Sequence, residues 1–183
     1  MTAAQLPWGL ADIARQTAWA AKPLPPVEKW DPPHCGDSAM RIARDGTWFH
    51  DGAPIIRRDL ARLFSTLLRK DADGFVLVTP AEKLSIVVED APFLAVAMQV
   101  SGEGERQRLT FVTNMDDAVV AGPDHSLRFE MRDGAPIPYL HVRAKLEAKL
   151  SRALYYRLID LAAKQAGMLG VWSDGVFFPL GDA

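Results

Sequence analysis

The pentapeptide Asp51-Gly52-Ala53-Pro54-Ile55 returns unchanged as Asp133-Gly134-Ala135-Pro136-Ile137, an offset of 133 − 51 = 82 residues. In a chain of 183 residues with average residue usage, an identical five-residue match has a chance probability on the order of a few per cent. The residues after each copy carry more weight. Leu60, Leu63, Phe64, Leu67 and Leu68 come after the first at the i, i+3, i+4, i+7, i+8 spacing of a one-sided helix. Val142, Leu146 and Leu150 fall at the same offset from Leu60, Phe64 and Leu68. The chain reads as two related halves. Each, at roughly 80 residues, would bury too little surface to be stable alone, so a shared interface is expected.

Composition bounds the class. There are 21 Lys+Arg against 23 Asp+Glu, a net charge of −2, and 49% of residues are apolar, which is globular rather than disordered. That balance gives no reason to expect a nucleic acid or an anionic membrane as partner. The single cysteine, Cys35, has no intramolecular partner, so a reducing compartment is expected. The first 21 residues lack the basic-then-apolar order of a secretion signal, carrying Asp12, Arg15 and Gln16 where one would be apolar. The longest uncharged apolar stretch, Phe93 to Met98, is far short of the roughly 20 residues of a membrane span. A soluble cytoplasmic protein is the expectation.

Three stretches are distinguished: an N-terminal segment over 1–23, a first α+β domain over 24–91 and a second over 92–183. Leu10, Ile13 and Ala14 suggest a short amphipathic helix in the first. Pro23-Leu24-Pro25-Pro26 and Trp30-Asp31-Pro32-Pro33 break regular structure, making an arm expected to lean on the body through Trp30. Asp45-Gly46 and Asp51-Gly52 are hairpin-type turns framing a strand at Thr47–His50. With the Leu60–Leu68 helix and a hairpin of Phe75–Thr79 with Lys83–Glu89, the first domain reads β-β-α-β-β. The second opens with a hairpin of Phe93–Val100 and Arg106–Thr113. A strand at Leu127–Met131, the Asp133-Gly134 turn and a strand through Tyr139 come next, then helix from about Arg143. Leu146, Leu150, Leu154, Leu158 and Leu161 fit one long helix, while the match to the first half favours a break at Ser151, which would cap a second helix. Gly167 and Gly170 should stop the helix before a closing hairpin turned at Asp174-Gly175. The fold class is therefore α+β: two small domains related by internal duplication, each built of antiparallel hairpins packed on one or two helices.

Several short stretches carry a family resemblance. They are Cys35-Gly36, Asp45-Gly46-Thr47-Trp48, Gly52-Ala53-Pro54-Ile55, Leu63-Phe64-Ser65, Val78-Thr79-Pro80-Ala81-Glu82-Lys83, Val88-Glu89-Asp90-Ala91-Pro92-Phe93, Thr113-Asn114, Tyr155-Tyr156 and Gly170-Val171-Trp172. On these the chain, from about Pro25 to its end, resembles a bacterial family known as domain of unknown function family 1285. The resemblance implies a duplicated two-domain α+β protein whose C-terminal half is loosely similar to pleckstrin-homology-like sheets. It also implies a ligand site between the domains, a nucleotide-type ligand and a role in signalling.

The residues themselves offer little chemistry. His34, Cys35 and Asp37 are the only local cluster of metal-ligand types, and His50, His125 and His141 are scattered, so no metal is expected. Ser65 falls in a helix pattern and Ser85 in a strand, neither at a nucleophile elbow, and Cys35 is expected to be a small packed residue. No phosphate-cradling glycine motif is present, and no cofactor is expected. Asp116-Asp117 reads as a solvated turn; Glu89-Asp90 would cap or pair with a base. The basic residues say more. Arg57 and Arg58 open the first helix, Lys83 sits just past a tight turn and Arg143 starts the matching helix of the second half. Guanidinium forks beside free helix N–H groups suit phosphate or carboxylate; the alternative is surface ion pairing with Asp59 or Glu82. Trp48, His50, Tyr155 and Tyr156 would shape the pocket, or the tyrosines would only hold the halves together.

These residues favour a non-enzymatic binding or sensing protein for a small, nucleotide-type anion, with Arg57, Arg58, Lys83 and Arg143 on the anion. The alternative is a protein-interaction module, in which the sheet of the second half offers its edge or a hydrophobic patch to a partner and the arm bearing Trp8, Trp19 and Trp30 mediates self-association. A third is an enzyme with an unrecognised site, using Glu89 or Asp90.

Overall fold

The computed structural model describes residues 23–182; the expected N-terminal helix, with Trp8 and Trp19, lies outside them. The described residues divide into two compact units, one ending at Pro92 and the other starting at Phe93.

In the first unit the strands are β1 (His34–Ile42), β2 (Trp48–His50), β3 (Ala53–Pro54), β4 (Leu68–Asp71), β5 (Gly74–Val78) and β6 (Lys83–Val88), with helix α1 (Arg58–Thr66) between β3 and β4. They form one sheet in the order β3-β2-β1-β6-β5-β4. Two three-stranded meanders are thus joined through the first strand of one and the last strand of the other, and that junction, β1 on β6, is parallel. The other pairings are all antiparallel hairpins. Those turned at Asp45-Gly46, Asp51-Gly52 and Pro80-Ala81-Glu82 match expectation, whereas β4 takes Leu68 out of the expected helix, which ends at Thr66, to pair with β5. Ala61, Leu63 and Phe64 give α1 its buried side, and Phe64, fully buried, stacks on Trp48 of β2. Burying a side chain of that size contributes about 1.5–3 kcal/mol.

The arm before β1 docks differently from expectation. Val27 to Lys29 form a 3-10 turn with Val27 buried, while the Trp30 ring is half-buried. What holds the turn is Arg69 of β4, only 8% exposed. Its Nη1 donates to the carbonyls of Val27 at 2.8 Å and Trp30 at 2.7 Å. Its Nε and Nη2 meet both oxygens of Asp71 at 2.6 and 3.0 Å, and Lys83 Nζ reaches the same carboxylate at 3.1 Å. A buried guanidinium with every face occupied is the arrangement that makes such a charge tolerable.

The second unit repeats the plan. Its strands β7 (Phe93–Ser101), β8 (Arg108–Thr113), β9 (Ala118–Val120), β10 (Leu127–Arg132), β11 (Ala135–Arg143) and β12 (Leu146–Leu150) make a sheet in the order β10-β11-β12-β7-β8-β9. Read from the other side it is the order of the first sheet, again with the first strand parallel to the last. Helix α2 (Arg152–Asp160) comes after β12, and β13 (Ala163–Gln165), β14 (Met168–Ser173) and β15 (Val176–Asp182) form a small antiparallel sheet. The expected class therefore holds: α+β, two related units, hairpins on a helix.

Duplication rests on this strand order and not on the pentapeptide. Asp51 and Gly52 have φ of 47° and 78°, and Asp133 and Gly134 have 52° and 76°. Both copies make the same hairpin turn, with positive φ at both central residues, for which Asp-Gly is suited. The first joins β2 to β3, the second and third strands of its sheet; the second joins β10 to β11, the fourth and fifth of its own. An identical turn has been written at two different places.

Helix from Arg143 is the expectation that fails. Residues 143–150 instead end β11 and form β12, and only the break at Ser151 holds: its Oγ accepts from the Leu154 N–H at 3.3 Å to cap α2. A four-residue spacing such as Val142, Leu146, Leu150 fits a helix face and a strand face equally, because four is also a multiple of two. Ala148 between Glu147 and Lys149 completes the alternation, buried at 146, 148 and 150. The helix also ends at Asp160, well before Gly167, since Ala163–Gln165 pair with β14.

Ser173, fully buried, ties β14 to the main sheet by donating its hydroxyl to the Ala121 carbonyl at 2.7 Å and accepting the Leu109 N–H at 2.9 Å. Replacing it with Ala leaves that buried N–H unmet, so Ser173→Ala should cost roughly 1–3 kcal/mol in denaturant unfolding.

The Arg69 hydrogen bonds, aided by those of Lys83, lower the pKa of Asp71 against the opposing effect of burial. A carboxylate depressed on folding adds stability above its unfolded value, 3.8, and loses it as pH falls through the folded one. Thermal melts below pH about 4 should show wild type losing more stability than Asp71→Asn, whose profile is flatter there.

Candidate functional site

Trp48 and His50 share the inner side of β2, both buried, beneath α1. The Trp48 indole N–H has no hydrogen-bond partner among the described residues, at a position only 2% exposed. An unmet buried donor costs about 1–3 kcal/mol and is uncommon in folded proteins. His50 Nδ1 lies 3.8 Å from Asp51 in the adjoining turn. Neither ring is displayed to solvent as a pocket wall would be.

The chain leaves β3 through Ile55, whose N–H is held by the Trp48 carbonyl at 2.7 Å, and reaches α1 through Ile56 and Arg57. Ile56 is 90% exposed. Arg57 is the N-cap residue, in extended conformation, and no side chain caps the helix there. Its guanidinium is exposed and makes no hydrogen bond or ion pair among the described residues. Arg58, the first helical residue, is exposed as well but does have a partner.

Lys83 is elsewhere. The registers of β1 with β2 and β6 line up Trp48, Ile42 and Val88 on one side of the sheet, so alternation puts Lys83 on the other. There its charge is committed to Asp71, not to Glu82. Arg143 needs a larger correction: it opens no helix but ends β11 beside a bulge. Its guanidinium pairs with Asp117 at 3.0 Å and lies 4.7 Å above the Phe93 ring. Asp117 is thereby an ion-pair partner, and the solvated-turn reading fits only Asp116, which is exposed.

Tyr155 and Tyr156 begin the second turn of α2, their ring centroids 6.0 Å apart. Burial raises the Tyr155 phenol pKa, with a smaller contribution from Tyr156. Tyr156 is half-exposed and its hydroxyl accepts from Arg152 Nε and Nη2 at 3.1 and 3.0 Å, an i, i+4 pair on the helix. Within the first unit the candidate residues fall on two sides of the sheet. Trp48, His50, Arg57 and Arg58 share the α1 side of the first unit, Lys83 the opposite side of its sheet, and Arg143, Tyr155 and Tyr156 belong to the second unit.

Other candidate chemistry resolves into structure. Glu89 pairs with Arg41 and accepts the Arg44 N–H at 3.1 Å. Cys35, expected to be packed, is exposed, its thiol 3.4 Å from the Pro33 carbonyl. His34 Nε2 lies 2.8 Å from Ser85 Oγ, a pairing across 51 residues that no local signal announces. A nucleophile of this kind needs an acid to orient the imidazole, and none of the described carboxylates bonds to His34. Among the described residues no group of three or more His, Cys, Asp or Glu is placed to hold a metal, and no helix is long and apolar enough to cross a membrane.

Comparison with known proteins agrees with this division. Residues 25–91 match the model of the DUF1285 N-terminal domain, and residues 92–180 that of the DUF1285 C-terminal domain, both described as of unknown function. The crystal structure of a DUF1285 family protein from Silicibacter pomeroyi DSS-3 is 49% identical, covers 95% of each chain and superposes with a TM-score of 0.87. A second, from Shewanella baltica OS155, is 27% identical over 66% of this chain and 90% of its own, with a TM-score of 0.53. No curated protein matches the chain. With both domain models matched in order along nearly its whole length, the chain belongs to the DUF1285 family.

Proposed function

We propose that this protein is a non-catalytic binding protein that senses a small anion of nucleotide type, taken up at the start of α1, in a signalling role. The observation that carries the reading is Arg57. Of the candidate cations, Lys83 is committed to Asp71 and Arg143 to Asp117. Arg57 alone keeps an exposed guanidinium without a partner among the described residues, on a helix terminus that no side chain caps. A cation beside the positive end of a helix dipole is unfavourable by a few tenths of a kcal/mol to about 1 kcal/mol. A bound phosphate would reverse that sign, meeting the first-turn N–H groups and the guanidinium together. Asp59 in the same turn repels an anion, so the ligand must approach from the Arg57 side.

A second reading, docking of a protein partner, has its own observation in Ile56, whose side chain stands 90% exposed next to Arg57. An isolated apolar residue is ordinary on a surface, which is why it ranks behind.

A thermal-shift series with nucleotides, dinucleotides and inorganic phosphate separates the two. A ligand at about 100 times its Kd adds about 2.7 kcal/mol, a visible rise in Tm. One ligand class should raise the Tm of wild type and of the surface control Lys164→Ala. Arg57→Ala should weaken that binding at least about tenfold, the loss expected of a charge-assisted contact. A flat series on folded protein, or binding untouched by Arg57→Ala, would overturn the proposal. Partner capture lost in Ile56→Ser and kept in Arg57→Ala would favour docking.

A further inference from the structure

His141, in β11, makes four hydrogen bonds, and two of them determine how many protons its ring carries. Its main-chain N–H donates to the Ser126 carbonyl at 2.9 Å, and its carbonyl accepts from His125 Nδ1 at 3.1 Å. The ring then reaches two further carbonyl oxygens: Nδ1 lies 2.9 Å from that of Asp124, and Nε2 lies 2.6 Å from that of Ala144. A main-chain carbonyl has lone pairs and no proton to give, so at both contacts the ring nitrogen is the donor. A neutral imidazole has one N–H and can satisfy only one. Both ring contacts are met together only while the His141 ring holds two protons. His125 needs only a single Nδ1 proton for its bond, and its ring stacks on that of His141 with centroids 5.7 Å apart and planes at 26°.

The two carbonyls belong to different segments. Asp124 lies in the loop 121–126 between β9 and β10, and Ala144 in the turn between β11 and β12, where its φ is 47°. The loop is anchored at its start by Ser173 on the Ala121 carbonyl and closed on itself by the paired Gly122 and His125 main chains. Its middle is tied to β11 through His141.

The charged groups around His141 are all engaged or exposed. Glu147 of β12 is its direct cross-strand neighbour, but both carboxylate oxygens are taken by Arg128 of β10, at 2.6 and 2.7 Å. Arg143, two residues along, is on Asp117. Lys145 and the Asp124 side chain are exposed, Lys149 lies further along β12, and Asp174, beside Gly122, pairs with Arg108. Among the described residues no carboxylate pairs with His141, whose ring nitrogens meet main-chain oxygen alone.

We propose that His141 is a proton-operated latch of the second unit. Doubly protonated, it ties loop 121–126 to the β11–β12 turn. When it loses a proton, one carbonyl must be released. The shorter contact, to Ala144, keeps the remaining N–H, so the segment set free is the loop at Asp124. Order in the loop is therefore a low-pH property, present while the ring holds two protons and lost when it holds one. Histidine is the side chain whose charge changes in the range where such a latch would act.

The test uses the whole chain. Ring-nitrogen NMR of wild type, with amide hydrogen exchange over the loop, would be recorded from about pH 5 to pH 8. The latch predicts both His141 nitrogens protonated at the acid end. It also predicts that exchange at Gly122 and His125, beyond the intrinsic pH dependence, quickens roughly tenfold as one proton leaves, the size expected for loss of a charge-assisted hydrogen bond. His141→Gln, with one donor end, should give fast loop exchange at every pH, while His125→Gln should keep the pH dependence. A His141 ring with one proton throughout the range overturns the proposal. So does loop exchange that ignores the His141 titration, or a pH dependence that survives His141→Gln.

Discussion

One kind of contact holds each six-stranded sheet together: the parallel pairing of its first strand with its last. Every other pairing within the two six-stranded sheets is antiparallel, and all join strands adjacent in sequence, which a local turn can specify. The parallel pairs have no turn to specify them. β1 meets β6 only after the chain has passed through four strands and a helix, and β7 waits equally long for β12. Closing loops of that length costs conformational entropy before any contact is gained. The return is burial. At the β7–β12 junction Phe93, Ala95 and Ala148 are fully buried and Leu150 almost so, as parallel strands normally are. At β1 the register slips twice against β6, around Gly36 and Ala39, both with positive φ. Ser38 repairs the irregularity by donating to the Ser85 carbonyl at 2.7 Å.

That topology explains what could be read from residues in order and what could not. Hairpins were legible at Asp51-Gly52, Asp133-Gly134 and Asp174-Gly175, because each turn needs positive φ and the residues that adopt it are few. The start of α2 was legible because a serine that caps a helix advertises itself three residues ahead of the N–H it receives. β12 was not, because its apolar spacing of four suits helix and strand alike. Neither parallel pair left a local signal. The same limit applies to the site. Arg143 and Lys83 looked available because their carboxylates, Asp117 and Asp71, lie 26 and 12 residues away and become partners only through strand pairing. His141 carried no sign of its contacts, since carbonyl oxygen acceptors are written in no side chain.

Most of the cationic side chains in this fold are structural. Arg69 fastens the arm to the edge strand β4. Arg128, held by Glu147 and Glu130 above the Tyr139 ring, lines the edge strand β10 with charge. Charged edges of this sort discourage strand-to-strand association. Of the four candidate cations, Arg57 is the one left exposed without a partner among the described residues, on a helix start that no side chain caps.

Anion recognition at the start of α1 is tested by a backbone-amide NMR titration with inorganic phosphate. Saturable shifts concentrated at the amides of residues 57–60 are expected. Shifts confined to the second unit, or spread without saturation over the basic surface, would contradict it.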